Sequence, residues 1–533
     1  MEALVHKLSS DEPFRDDLYV SFLTSVVLKY QRYRLNAEKT DEDLQQQTEA
    51  ASAMVAEIQR SPVGPDLEDK EKRWSFVDEK LPSFWSAFAL KNAQRRYVAI
   101  ATQVLEEHFA MDVAGSIVNS KDFRAYSRGQ DAAGGALKPR NKTEAAVGSH
   151  EIGQSMMAEL ARDRMWEWFQ KQKGGGSPRR STRKKKSTRE ASSPVAGRQA
   201  EWLRNAREVT VAFNRSVLGH EGDHGIKSII VEFVLAFARQ PLTLQTQPLT
   251  FLIMGPPGTG KTTVAKSMSE LFKAFGFLLQ GTLKVSDRSD YVGEYVGQTA
   301  PKVKSFLFSN LENVVLIDEA YSLASFDAKG DLEGFSAEAM DALTFWITEL
   351  RGMICIIAAG YEKEMKQRFL KANPGLTRRF QNQIVLSDYE PSVLVEIFKT
   401  KLVLMAANPH ILSDDAYSLL VNFIHMCRNP RKYLKDIEDF SYAFVQKALG
   451  ALFQAQAGSM EQLAAVAALY LNSKASGCTS EVSCFSVCDM EDILMVYARR
   501  AHPDAFKVLS PVRDKLFEQL VRVRCTRKEN EGD

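Results

Sequence analysis

Apolar positions recur every three or four residues in the first and last thirds of the chain, and between them they gather into short unbroken runs. Leu18–Leu35 places Tyr19, Phe22, Leu23, Val26, Val27 and Tyr30 on one helical face. Lys91–Met111 repeats the spacing through Tyr97, Ile100, Ala101, Val104, Leu105 and Phe109, and Met156–Phe169 reads as a further helix. Ala200–Arg239 predicts helices around a turn at Gly219–Gly225. The character then changes. Leu249–Met254, Val314–Ile317, Met353–Ala359 and Ile384–Leu386 are apolar runs of strand length, with helical patterns filling the gaps. Buried strands alternating with helices predict an α/β unit with a parallel sheet. From Pro391 onward the spacing is helical again, through Val393–Met405, Asp414–Met426, Lys432–Ala448, Met460–Leu471, Met490–Arg500 and Val512–Val521.

The 533 residues allow several domains, and 44% hydrophobic with 26% charged residues is ordinary globular composition. Lys173–Arg198 breaks the pattern. It opens on Gly174-Gly175-Gly176, is rich in Ser, Pro, Arg and Lys, and has no apolar periodicity, so it reads as a flexible linker. The predicted organisation is a helical accessory domain over 1–171, a basic linker over 172–199, an α/β domain over 200–389 and a helical domain with tail over 390–533. Ser127–Lys142, glycine-bearing and polar, predicts a loop, and no internal repeat stands out.

Charge sharpens this picture. Pro178–Arg189 holds seven basic residues and no acid; taking those seven from 69 leaves 62 basic residues against 67 acidic ones. The remainder is mildly acidic, which disfavours a broad nucleic-acid-binding face. No apolar run approaches the roughly 18–20 residues of a membrane span, and the acid-bearing N-terminus (Glu2, Asp11, Glu12, Asp16, Asp17) is unlike a secretory signal or a transit peptide. A cytoplasmic or nuclear location is expected. The 6 cysteines are sparse, and Cys478, Cys484 and Cys488 have no fourth ligand at metal-binding spacing, so reduced thiols are expected.

Candidate chemistry lies at two strand ends. Gly255-Pro256-Pro257-Gly258-Thr259-Gly260-Lys261-Thr262, followed by Thr263, matches the phosphate-binding loop pattern, between a predicted strand (Thr250–Met254) and a predicted helix (Thr263–Phe272). Glycines let the backbone close on phosphates, and the helix start aims N–H groups and partial positive charge at them. Lys261 would reach the β- and γ-phosphates and Thr262 would ligate Mg²⁺. Val314–Ile317 runs into Asp318-Glu319, which puts two carboxylates where open α/β sheets bind ligands. Asp318 would hold Mg²⁺ through water, and Glu319 would polarise the water attacking the γ-phosphate.

With these motifs in hand, the chain resembles an AAA+ ATPase, closest to the CbbX/CfxQ group with its SpoVK-like members, over about Ser216 to Leu471. The most distinctive stretch is Ser289-Asp-Tyr-Val-Gly-Glu-Tyr295-Val296-Gly297-Gln-Thr-Ala-Pro-Lys302; Ile317-Asp-Glu-Ala-Tyr321, Ala359-Gly-Tyr361 and Asn373-Pro-Gly-Leu-Thr-Arg-Arg379-Phe also read like the group. The resemblance implies ATP with Mg²⁺ and a P-loop sheet domain with a C-terminal helical lid. It also implies Val217, Leu218 and Gly219 near adenine, with the polar Glu221–His224 after them. Arg379, or its neighbour Arg378, falls at the arginine finger that acts on the ATP of an adjoining subunit. Arg431, in Asn429-Pro-Arg431, falls at the second sensor. Tyr295-Val296-Gly297 resembles the pore loop with which AAA+ hexamers grip polypeptide. Many AAA+ proteins have a polar Asn sensor after the third strand; here Gly360-Tyr361 stands there, as in the CbbX-type group, so that sensor stays unassigned. The implied function is an ATP-hydrolysing protein-remodelling machine that pulls a protein client through a homo-hexamer pore. The alternatives are a nucleic-acid-associated motor or loader, for which the basic linker is the main support, and a nucleotide-gated assembly scaffold.

Overall fold

The sheet forms where the apolar runs lie. In the computed structural model, β1 (Leu249–Met254), β3 (Val314–Ile317) and β4 (Cys355–Gly360) are buried along their whole length, which requires helices on both faces. β2 (Leu283–Ser286) and β5 (Asn382–Val385) complete a five-stranded sheet of order β2-β3-β4-β1-β5. β4 pairs in parallel with both β1 and β3: Met254 stands opposite Gly360 and Ile317 opposite Ala358. β1 and β3 therefore stop at the same carboxyl edge of the sheet. β2 was not anticipated, because only Ser286 of its four residues is buried and Lys284 and Val285 in its middle are both exposed.

The structure describes residues 1–30, 32–33, 93–108, 162–163, 165–167, 169–170, 194–218, 225–240, 248–405, 410–434, 441–475 and 483–530. Gly219, Glu221–His224, Ser127–Lys142, the basic run Pro178–Arg189 and Cys478 lie outside the described residues. Among the described residues, no helix is long and apolar enough to cross a membrane.

The chain divides into two compact units. The first comprises Met1–Val217, Glu221–Met254 and Thr262–Ile384; the second comprises Leu218–His220, Gly255–Lys261 and Val385–Asp533. In the first, helical residues of the N-terminal third lie directly on the α/β layers. Phe22 stacks on Trp202 of helix Pro194–Ser216, with ring centroids 5.0 Å apart. Phe22 also closes over Gly276, where an added Cβ would fall 2.2 Å from its ring. The Ser21 hydroxyl donates to the Ala238 carbonyl at 3.1 Å, and Arg162 donates to the Ala238 and Arg239 carbonyls at 2.9 and 2.6 Å. The Lys29 ammonium reaches the buried Glu312 carboxylate at the start of β3, and the Tyr97 hydroxyl donates to the carbonyl of Leu311.

The second unit is built from helices Pro391–Met405, Asp414–Arg428, Tyr442–Leu452, Ala457–Ala475, Val487–Ala501, Pro503–Leu509 and Arg513–Asn530 around one apolar core. Ser413, Ser441 and Ser486 cap three of them through their hydroxyls. The unit also contains an unanticipated two-stranded parallel pair, β6 (His410–Leu412) with β7 (Ser483–Phe485), too short to register as a pattern in the sequence.

Candidate functional site

The loop after β1, Gly255–Lys261, belongs to the second unit and is held in shape within it. Gly258 and Gly260 sit at φ +73° and +83°, where a side chain would strain the backbone. An added Cβ on Gly258 would fall 1.9 Å from the Ala455 carbonyl oxygen, and one on Gly255 would fall 2.6 Å from that of Leu386. The Ala457 amide donates to the Gly258 carbonyl at 3.1 Å, and the Tyr389 hydroxyl donates to that of Thr259 at 2.9 Å. Within the loop, Thr259 Oγ1 donates to Pro256 O at 2.8 Å. Lys261 Nζ folds back to donate to the carbonyls of Gly255 and Pro256 at 3.0 and 2.8 Å. Lys261 also opens the helix Lys261–Ala274, where Thr262 and Thr263 are exposed and Val264 is buried. Glycines at positive φ running into a helix start are a backbone arrangement that can hold an anion through N–H groups.

At the end of β3, Asp318 is half-buried and Glu319 exposed. The Asp318 amide donates to the Ser286 carbonyl at 3.1 Å, and its Oδ1 accepts from the Glu319 amide at 3.0 Å. Glu319 adopts φ +47°, ψ +44°. A left-handed backbone at a non-glycine residue costs about 1–3 kcal/mol and collects at functional positions. The carboxylates face a cleft of about 740 Å³ whose lining also includes Asp287, Arg288 and Asp290. Arg288 braces the segment after the strand, with Nη1 donating to the carbonyls of Ser322 and Leu323 at 2.7 and 3.1 Å and to Ser336 Oγ at 3.0 Å.

Two tyrosines meet beside Glu319. Tyr321 and Tyr361 stack with centroids 5.9 Å apart and planes at 29°, and the Arg368 guanidinium lies 5.9 Å from the Tyr321 centroid. Desolvation, then the Glu319 charge, pushes the Tyr321 hydroxyl up to about 12, so it keeps its proton and can donate. Sequence reading left the position after β4 without an assigned polar group; this stack occupies it. Gly360 is required there, since an added Cβ would fall 2.8 Å from Met365 Sδ and 2.9 Å from the Tyr321 ring.

The two candidate finger residues differ. Arg379 is tied into its own unit: Nε donates to Thr348 Oγ1 at 2.7 Å and Nη1 to the Gly375 carbonyl at 3.0 Å, while its carbonyl accepts from Thr250 Oγ1 at 2.5 Å. Arg378, beside it at the end of helix Pro374–Arg379, is exposed and has no side-chain partner among the described residues. In the second unit, Arg431 is exposed with its guanidinium 4.1 Å from the centre of the Tyr442 ring. Val217 is buried, and Leu218 packs on the helical core.

The stretch from Ser289 to Lys302 has a fixed base and a bare tip. Tyr291 is buried and shares a 2.9 Å hydrogen bond with Ser286 Oγ; Gly293 N donates to Thr299 Oγ1 at 3.1 Å. Tyr295 and Val296 are 67% and 90% exposed, and Gly297, at φ +84°, has nothing within 4 Å of an added Cβ. Two apolar side chains held this far into solvent at consecutive positions serve no packing role in the isolated chain.

Residues 251–387 match the AAA family, described as ATPase family associated with various cellular activities. The chain is 41% identical over 162 residues to stage V sporulation protein K of Bacillus subtilis, covering 30% of this chain and 49% of the relative. It is 38% identical over 177 residues to protein CfxQ of Xanthobacter flavus, covering 33% and 55%. It is 34% identical over 201 residues to a chloroplastic ribulose bisphosphate carboxylase/oxygenase activase of Cyanidioschyzon merolae, covering 37% and 66%. The chain thus spans about half to two-thirds of the length of these curated relatives.

Proposed function

Because the chain is a CfxQ- and SpoVK-like AAA+ ATPase, with its AAA domain over residues 251–387, we propose that it hydrolyses ATP to pull a protein client through the pore of a homo-oligomeric, six-membered ring. In this reading the Gly255–Thr263 segment takes the triphosphate, its glycine amides and Lys261 paired with phosphate oxygens. The exposed Thr262 hydroxyl and half-buried Asp318 suit a hard divalent cation, having oxygen donors only; Mg²⁺ held there neutralises phosphate charge. Glu319 accepts the proton of the attacking water, and Tyr321 steadies that carboxylate. Val217 and Leu218, with Gly219 after them, are assigned to the base and Arg431 to the γ-phosphate. An arginine of the Arg378–Arg379 pair reaches the ATP of the next subunit, and the exposed Arg378 is the better suited to leave its own unit.

The observation that carries the remodelling reading is the bare Tyr295-Val296 tip on an ATPase domain. An aromatic and a branched aliphatic side chain grip extended polypeptide without sequence preference, and Gly297 leaves the tip able to move. The test is Tyr295→Ala in the full chain. ATP turnover should persist while unfolding of a client protein falls at least tenfold. Unchanged client unfolding in the variant would sink the threading idea. Affinity capture with Glu319→Gln, which should bind ATP without cleaving it, identifies the client; nucleic acid in place of protein among the captured material would favour a motor on nucleic acid instead.

A further inference from the structure

Away from the nucleotide-handling residues, the first unit has a second cleft, about 670 Å³, between helices Glu2–Ser10 and Pro194–Ser216. Arg204, Arg207 and Arg215 line it, and Arg15 stands at its other wall. The first three make no hydrogen bond or ion pair among the described residues. Among the described residues, Glu208 is the only carboxylate in the lining. Four guanidinium groups gathered around a single lining carboxylate, in a protein whose other residues are net acidic once the basic run is set aside, mark a place built to meet an anion.

The shape of the cleft narrows the class of anion. Its lining recurs along one face of the longer helix from Ala200 to Arg215, a length of about 22 Å at 1.5 Å per residue. Arg204 and Arg215 are about 16 Å apart along that axis, too far for one compact polyanion to satisfy both. Between them the floor is apolar: Leu203 and Val211, with Leu8 from the facing helix. A long groove with an apolar floor and cationic walls complements an amphipathic helix that carries carboxylates beside its apolar stripe.

We infer that this cleft is a docking groove for an acidic amphipathic helix of a partner protein, held by carboxylate–guanidinium pairs along Arg204, Arg207 and Arg215 and by apolar side chains on Leu203 and Val211. Docking there needs no nucleotide turnover, so it is independent of the ATPase reading. It gives the N-terminal helices a recruiting role while the Tyr295 tip handles the chain that is pulled.

The test is fluorescence anisotropy with the full-length protein and a synthetic 18-residue peptide repeating Leu and Glu at helical spacing. A Lys-for-Glu peptide and inositol hexakisphosphate serve as comparison probes. The Glu peptide should bind saturably, and more weakly as salt rises. Its affinity should fall at least tenfold in R204E/R207E/R215E and in Leu203→Asp, while ATPase activity and circular dichroism stay unchanged, and the Lys peptide should not bind. Deleting 179–189 should leave affinity intact. No saturable binding of the Glu peptide, equal loss on deleting 179–189, or displacement by equimolar inositol hexakisphosphate would each overturn the proposal. The first two results would leave no peptide groove, and the third would leave a compact-anion site instead. The Glu319→Gln protein, unable to hydrolyse ATP in the reading above, should bind the peptide as the parent does; loss of binding there would tie the groove to turnover and contradict its independence.

Discussion

Lys29 Nζ lies 2.7 and 2.8 Å from the two carboxylate oxygens of Glu312, and both side chains are shut away from water. The pair is fully furnished. The Lys29 ammonium also donates to the Gly352 carbonyl at 2.7 Å, and Glu312 accepts from the Tyr33 hydroxyl at 2.5 Å and the Leu279 amide at 2.8 Å. Glu312 itself sits at φ +59°. Burial lowers the hold of Lys29 on its proton, and Glu312 opposes that effect. Removing one member strands the other as a buried charge. Lys29→Met and Glu312→Gln should each destabilise the first unit by about 3–5 kcal/mol. The double variant should lose less than the sum of the two, since no lone charge remains. Denaturant unfolding of the four proteins checks this; strictly additive losses would contradict the coupling.

His108 gives a pH dependence of known sign. Its ring nitrogen meets the Tyr19 hydroxyl at 3.0 Å, and its ring packs against Phe22. Burial lowers its pKa below 6.5; Arg198 pushes the same way, and Glu107 and Glu201 push back. The unfolded chain therefore binds the proton first, and stability is lost as pH falls below about 6.5. His108→Gln should flatten the fall in melting temperature between pH 7.5 and 5.5. The half-buried ring of His502, shifted the same way by desolvation, accounts for a slope that remains.

Gly258 and Gly297 both sit at positive φ, yet they should respond differently to alanine. At Gly258 the new methyl meets the Ala455 carbonyl, so the loop must move. At Gly297 it meets open space, and only about 1 kcal/mol of backbone strain results. Gly258→Ala should weaken binding of a fluorescent ATP analogue at least tenfold. Gly297→Ala should leave binding and melting temperature nearly unchanged, and any loss should appear only in client processing.

The adjacent arginines should separate by readout. Arg378→Ala should cut ATP turnover at least tenfold with melting temperature unchanged, because its exposed side chain has no hydrogen-bond or ion-pair partner among the described residues. Arg379→Ala breaks the bonds to Thr348 and Gly375 and should lower stability by about 1–3 kcal/mol. Turnover assays combined with calorimetry on both variants decide the assignment.

How much of this was readable beforehand depended on the kind of signal. β1, β3 and β4 were legible because strands covered on both faces need unbroken apolar runs. β2 was not, since an edge strand of four residues with Lys284 in it resembles a loop. The glycine loop and Asp318-Glu319 announce themselves through fixed local spacing. The Tyr321–Tyr361 stack depends on two chain segments 40 residues apart in number meeting across the sheet edge, and no local pattern encodes that. The same holds for Lys29, one of many lysines until its distant partner is known. The contrast between Arg378 and Arg379 was hidden as well, because it rests on a hydroxyl contributed by another helix.

The buried carboxylate at the head of β3 has a practical corollary for anyone trimming this protein. A fragment starting near residue 200 would keep Glu312 and discard the ammonium and phenol that neutralise and cover it. Such a minimal piece around the AAA match should come out of the ribosome sticky and poorly soluble. Supplying the missing N-terminal stretch as a separate polypeptide should rescue it.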